Sequence, residues 1–210
     1  AGYRNLITYD MGGTSTDVCL IEDLAPTVTT EQMLVELPNK TPQIEIRTIG
    51  AGGGSIAWID AGHVLKVGPR SAGAVPGPAS YGRGGTEATV TDANLVLNRV
   101  NPAERLAGEV ALDRGLALEA VRRVAAGFAG LDEPRMAEGI IRIAVARMVS
   151  AIKEISIAKG YDPRDFSLLA YGGAGPMHAV EIAQELEIPR VIVPNAPGNF
   201  SAFGSLISDL

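Results

Sequence analysis

The chain has 210 residues, is 46% hydrophobic and carries a formal net charge of −6. That is enough apolar material for one large domain or two small ones, and the acidic balance argues against nucleic acid or an anionic membrane surface as partner. A single cysteine, Cys19, excludes an internal disulfide and fits a reducing, cytoplasmic setting; no run approaches transmembrane length and none reads as a secretory leader.

The first elements are two apolar runs, residues 6–9 and 18–21, short, bounded and rich in strand formers. Between them stands Asp10-Met11-Gly12-Gly13-Thr14-Ser15-Thr16-Asp17. This predicts strand, tight loop, strand. Adjacent glycines lack Cβ atoms and permit unusual backbone angles, so their amides can turn toward an anion. Thr14, Ser15 and Thr16 add hydroxyl donors. Asp10 and Asp17 repel phosphate but suit a hydrated Mg²⁺ or the orientation of a water. A hairpin turn that is merely rich in Gly and Thr accounts for the same residues. The order of residues adds a resemblance. Asp-x-Gly-Gly-Thr-x-Thr-Asp between two strands resembles the phosphate loop of the actin, sugar-kinase and Hsp70 superfamily of ATPases. The wider string resembles the A subunit of the hydantoinase/5-oxoprolinase family, which includes acetone and acetophenone carboxylases.

Further along, Met33, Val35 and Leu37 alternate with polar positions and predict a strand; Ile44 and Ile46 predict another. Residues 34–48 carry no chemistry that the sequence names. A second glycine loop follows, Gly50-Ala51-Gly52-Gly53-Gly54-Ser55. No Gly-Lys-Ser/Thr follows it, so it is not a Walker A loop. It reads either as a backbone nest facing phosphate, through Gly52 and Gly53, or as a loop that lets two segments pack closely. The string Gly-Ala-Gly-Gly-Gly-Ser-Ile-Ala is typical of the hydantoinase A resemblance and favours the first. Residues 56–59 and 63–67 flank a predicted hairpin at Asp60-Ala61-Gly62. Residues 68–85 are rich in glycine and proline and predict a loop, with Arg70, Ser71, Tyr81 and Arg83 as its polar side chains. This string again resembles the family, which commonly has Cys where Ser80 stands.

Thr91 or Asp92 is positioned to cap a helix running to Leu97, and Asp92 and Asn94 are equally suited to contact substrate or metal. Leu118, Val121 and Phe128 have helical spacing, and Pro134 opens a long amphipathic helix to Lys159, striped by Ile141, Val145, Met148, Ile152 and Ile155 and closed by Gly160. The apolar strand at residues 166–171 runs into Gly172-Gly173-Ala174-Gly175-Pro176-Met177-His178, with helical spacing beyond it. Such a corner leaves amides free at a helix start, and it resembles the adenosine motif of the actin-like superfamily. His178 is read as structural. A last strand spans residues 191–194, and Ser201 is expected to cap a helix at 202–210.

The order of elements predicts an α/β fold: a ribonuclease-H-like lobe of the actin/sugar-kinase/Hsp70 ATPase fold, a mixed sheet with helices on its faces. The resemblance covers nearly the whole chain. It implies the second, C-terminal ATPase lobe of a hydantoinase A type protein, excised from a longer chain, since the sequence begins at Ala1 without Met and ends at Leu210 inside a predicted helix. It implies ATP-dependent opening of a cyclic amide such as hydantoin or 5-oxoproline, with ATP and Mg²⁺ as cofactors and a hydantoinase B-type partner subunit or domain. Asp10 would hold Mg²⁺ and Asp17 would orient the loop or a water. Gly12, Gly13, Thr14, Thr16, Gly52, Gly53, Gly172, Gly173 and Gly175 would hold the nucleotide. The chain alone is expected to be inactive and prone to self-association. An ATP-dependent ketone carboxylase subunit and a non-catalytic ATP-binding lobe are the alternatives.

Overall fold

The computed structural model describes residues 2–30, 32–34, 37–103 and 110–208. The chain divides into two compact units: Ala1–Asp10 with Asp17–Thr48 and Val149–Leu210, and Met11–Thr16 with Ile49–Met148.

In the first unit, strand β1 (Leu6–Met11) lies at the centre of a sheet with β2 (Thr16–Glu22) and β3 (Ala25–Pro26). The short edge pieces β4 (Val28–Thr29), β5 (Gln32–Leu34), β6 (Leu37–Asn39) and β7 (Gln43–Ile44) form two small antiparallel pairs, β4 with β7 and β5 with β6. The single strand predicted through Met33, Val35 and Leu37 is instead two, β5 and β6, paired antiparallel with Leu34 opposite Leu37; Val35 itself lies outside the described residues. Strand β8 (Ile46–Ile49) pairs with β2. In the second unit, β9 (Ser55–Ile59) and β10 (Leu65–Ser71) form the predicted antiparallel hairpin. The sheet of the first unit is completed by β11 (Ser167–Tyr171) and β12 (Val191–Ile192), in the order β12-β11-β1-β2-β3. The β12–β11 and β11–β1 pairs are parallel and β2–β3 is antiparallel. A loop as short as that between β1 and β2 can join only antiparallel neighbours. This is the mixed sheet of a ribonuclease-H-like lobe: a hairpin-linked half with two parallel strands added beyond β1. Ile7, Thr8 and Tyr9 are buried in succession on β1, which happens where both faces of a strand are covered.

Among the described residues five helices accompany the strands: α1 (Val90–Val96), α2 (Arg114–Ala125), α3 (Glu133–Ile155), α4 (Ala179–Glu185) and α5 (Phe200–Ile207). Helix α3 carries the expected stripe; Ile140, Ile141, Ala144, Met148, Ala151 and Ile152 are all buried. It stops before the predicted Lys159. The Ser156 amide and hydroxyl both donate to the Ile152 carbonyl, at 3.1 and 2.6 Å, and the Ser156 backbone then leaves the helical region at φ −116°, ψ −83°. A 3-10 turn over Ile157–Lys159 follows, and Gly160 ends it at φ +87°, a conformation open to glycine. Helix α1 begins two or three residues earlier than predicted. Thr89 is its N-cap, and Asp92 closes a reciprocal capping box with it. Neither Thr91 nor Asp92 is the cap itself. Part of the expected loop at 68–85 is regular, since β10 runs to Ser71 and a 3-10 turn covers Ala79–Tyr81. Among the described residues no helix is long and apolar enough to cross a membrane.

Candidate functional site

In the second unit the loop after β1 is braced from behind. The carbonyls of Gly12 and Gly13 accept from the amides of Gly53 at 3.0 Å and Gly54 at 2.6 Å. The Gly52 amide donates to the Ser55 hydroxyl at 2.9 Å. The buried Thr16 hydroxyl donates to the Ala51 carbonyl at 2.6 Å. Glycine at position 52 is a packing requirement: a Cβ there would lie 2.6 Å from the Gly13 carbonyl carbon and 2.7 Å from the Gly13 oxygen. So the second glycine loop turns the amides of Gly53 and Gly54 toward the first loop, and Thr16, from the first, reaches back to the second.

The first loop is different. A Cβ on Gly13 would meet nothing within 4 Å, and one on Gly12 would only reach the Ser15 carbonyl at 4.0 Å. Neither residue has a positive φ, so the unusual backbone angles expected here are absent. Nothing in the fold itself calls for glycine at position 13. Among the described residues no acceptor pairs with the amides of Gly13 and Thr14, and both residues are exposed. Exposed amides without an acceptor can take a bound anion.

Behind this loop, Asp92 acts as a clamp. Fully buried, it accepts from the Ala79 and Ser80 amides at 3.2 and 2.8 Å and from the Thr89 amide and hydroxyl at 2.9 and 2.8 Å. It ties the 3-10 turn to the start of α1, which leaves it occupied rather than available to substrate or metal. Thr91 donates through both its amide and its hydroxyl to the Gly53 carbonyl, joining α1 to the second glycine loop. In the 68–85 segment, Arg70 pairs with Glu87. Burial raises the Tyr81 phenol pKa, Asp92 adds to that, and Arg83 opposes it.

In the first unit, Asp10 and Tyr171 stand at the same level of two parallel neighbours, since β1 and β11 pair them directly. Both lie at the C-terminal end of their strands, the edge at which open α/β sheets bind ligands. Asp10 Oδ2 accepts from the Ser201 hydroxyl at 2.8 Å, and Asp17 Oδ1 accepts from the Thr48 hydroxyl at 2.5 Å. Burial pushes the Tyr171 phenol pKa upward. Its hydrogen bond with Thr8 lowers it, and the charges of Asp10, Cys19 and Asp17 raise it again. The two aspartates therefore act on one neighbourhood.

The corner after Tyr171 divides its glycines by task. Gly172 is buried at φ +81°, and its amide donates to the Pro197 carbonyl at 2.9 Å, so its place is set by the turn. Gly175 is buried inside a 3-10 turn, Gly175–Met177, that stands between the strand and α4. Helix α4 is short and starts beyond that turn, so the strong dipole expected at the corner is reduced. Gly173 alone resembles Gly13: exposed, with nothing within 4 Å of an added Cβ. His178 is fully buried at the α4 start, its Nδ1 lying 3.9 Å from Glu181 Oε2, which agrees with the structural reading.

Three contributors escaped sequence reading. Thr48 sat in the stretch without nameable chemistry, Tyr171 read as the end of an apolar strand, and Ser201 read as a helix cap. The N-cap of α5 is Asn199, which makes no side-chain cap bond. No local signal marks these three, because each acts on a residue far away in sequence.

Among the described residues no group of three or more His, Cys, Asp or Glu comes together as a metal cage. Mg²⁺ needs none, since it keeps several waters and is commonly held by one or two carboxylates with substrate phosphates. Asp10, with Asp17 nearby in its electrostatic effect, fits that requirement.

A family model described as hydantoinase/oxoprolinase matches residues 1–210. The caprolactamase subunit alpha of Pseudomonas jessenii is 44% identical over 209 residues, covering 100% of this chain and 30% of its own length. The crystal structure of the ATP-dependent caprolactamase from that organism superposes with a TM-score of 0.89 at 42% identity, again over 100% of this chain and 30% of that one. A nucleotide-free acetone carboxylase, solved in a study of ATP-dependent acetone carboxylation, superposes with a TM-score of 0.90 at 34% identity, over 100% of this chain and 30% of that one. The chain thus spans less than a third of the length of the relatives it matches, and over all of its own length it belongs to the hydantoinase/oxoprolinase family.

Proposed function

We propose that this chain is the nucleotide-binding lobe, second of two, of an ATP-dependent enzyme that opens a cyclic amide such as hydantoin or 5-oxoproline. The observation that carries the reading is Gly13, a glycine that neither backbone angle nor internal packing explains, with unpaired amides at its own position and at Thr14. Gly12, Gly13 and Thr14 would meet the phosphates. Gly52, Gly53 and Thr16 would serve them indirectly, by fixing the loop. Gly173 would let the adenosine lie close to the backbone, with Gly172 and Gly175 shaping the turn. Asp10 would hold Mg²⁺ through water, and Asp17 would orient the loop or a water.

An amide is a poor electrophile. Transfer of the γ-phosphoryl group to the amide oxygen, with ADP leaving, makes the carbon open to water; the C–N bond then breaks and phosphate departs. Such transfer depends on positioning and charge neutralisation rather than on a covalent side chain. A rigid glycine loop braced from behind supplies the positioning. The caprolactamase likeness supports a cyclic amide. It also supports a partner subunit, which we take to be of hydantoinase B type.

The likeness to an acetone carboxylase, lower in identity at 34% but with a TM-score of 0.90, favours a second reading, in which the same activation serves a ketone and bicarbonate. The test is ATP hydrolysis by the complete protein with its partner, against hydantoin, 5-oxoproline, caprolactam, and acetone with bicarbonate. Stimulation by a cyclic amide is expected. Stimulation only by acetone with bicarbonate selects the carboxylase, and none by any of them leaves a non-catalytic ATP-binding lobe. The isolated chain should melt cooperatively yet hydrolyse no ATP in response to substrate.

A further inference from the structure

We infer that Ser201 is a positioning residue that fixes the rotamer of Asp10 by holding one carboxylate oxygen, Oδ2, and leaves Oδ1 to the hydrated metal; this rests on the role proposed for Asp10.

The Ser201 hydroxyl donates to Asp10 Oδ2 at 2.8 Å across 191 residues of sequence. Ser201 is the second residue of α5, two positions beyond the N-cap Asn199, which makes no side-chain cap bond. Capping belongs to the N-cap position, so the Ser201 hydroxyl is not part of the start of its own helix. It reaches instead a carboxylate at the far end of the chain.

The segment carrying Ser201 is anchored at the same strand ends. Phe200 packs edge-on against Tyr171 with ring centroids 5.1 Å apart, and the Pro197 carbonyl accepts from the Gly172 amide at 2.9 Å. Tyr171 is the register partner of Asp10. So the turn and the first residue of α5, just ahead of the hydroxyl, are held in place. The rest of α5 is exposed, with Phe203, Leu206 and Ile207 open to solvent, so burial of the helix does not account for the placement of Ser201. A donor held to one carboxylate oxygen orients the other. Partners of this kind, one step removed from a metal, commonly change affinity by about 10-fold or more when lost.

The test measures Mn²⁺ binding to the complete protein with ATP by electron paramagnetic resonance, alongside melting temperature. Ser201→Ala should weaken Mn²⁺ binding by about 10-fold with an unchanged melt, and Ser201→Thr, which keeps the hydroxyl, should restore it. Asp10→Asn should abolish binding. If Ser201→Ala binds Mn²⁺ as the unsubstituted protein does while Asp10→Asn does not, the positioning role is overturned and the assignment of Asp10 stands. If Asp10→Asn binds Mn²⁺ unchanged, the assignment of Asp10 falls and the role of Ser201 with it. Failure of Ser201→Thr to restore binding in a folded protein also overturns the role.

Discussion

The two glycine loops of the second unit look alike in sequence and make opposite predictions on substitution. At Gly52 an alanine Cβ would stand 2.6 Å from the Gly13 carbonyl carbon and 2.7 Å from the Thr14 carbonyl carbon, all of it backbone that no rotamer can move. Ordinary carbon contacts need about 3.5 Å, so the loops must part by roughly 1 Å. That stretches the Gly53–Gly12 bond from 3.0 Å and the Gly54–Gly13 bond from 2.6 Å, taking at least the first out of hydrogen-bonding range. Two such bonds contribute about 1 kcal/mol each, and overpacking costs about 1–3 kcal/mol. Gly52→Ala should therefore destabilise by roughly 2–4 kcal/mol, which for a chain of this size lowers Tm by about 5–15 °C. At Gly13 an added side chain meets nothing. Gly13→Val should change stability by no more than about 0.5 kcal/mol and yet abolish ATP hydrolysis, because the side chain fills the space before the free amides. Thermal melts of both variants by circular dichroism, with ATPase assays on the complete protein, decide it. A Gly52→Ala protein that melts like the unsubstituted one refutes the bracing argument. Normal turnover by Gly13→Val refutes the phosphate assignment.

Other substitutions probe the remaining parts. Gly173→Leu should weaken ATP affinity, measured by calorimetry, with no change in melting, since its Cβ has clear space; unchanged affinity would make the corner purely structural. Asp92→Ala leaves four donors without their acceptor and should cost about 3 kcal/mol or more, against about 1 kcal/mol for Thr89→Ala; equal effects in denaturant titrations would show that Asp92 is only a cap. Burial raises the Tyr9 phenol pKa well above its usual 10.0. A group raised on folding contributes stability that is fully present below pH 10.0 and is lost as pH rises through the folded value. Stability should accordingly hold through neutral pH and fall only above about pH 10, and Tyr9→Phe should move that fall to higher pH. Loss of stability between pH 7 and 9 in the unsubstituted chain would contradict this.

Much of the fold was legible because it is written in local repeats. The alternation and apolar runs of β1, β2, β9, β10 and β11 report faces that must be buried, and the stripe of α3 reports one helical face. These patterns depend on neighbours within a few residues, so the sequence alone determines them. The positions of the two glycine loops and of the corner after Tyr171 were equally plain, since glycine clusters interrupt those repeats. What the tertiary structure decided is the task of each residue within them. Gly13 and Gly52 are indistinguishable as letters. One faces open space and the other lies against the backbone of Gly13 itself, a difference created only when residues 12–14 and 52–54 meet. Thr89 rather than Thr91 caps α1 because Asp92 is drawn to the Ala79 and Ser80 amides. Helix α3 ends early at Ser156, whose backbone turns out of the helical region into a 3-10 turn. Ser201 bonds Asp10, at the other end of the chain, because the fold brings the start of α5 to the end of β1. Hydrogen-bond partners and clearances are set by which distant segments approach one another, and no local period in the sequence carries that information.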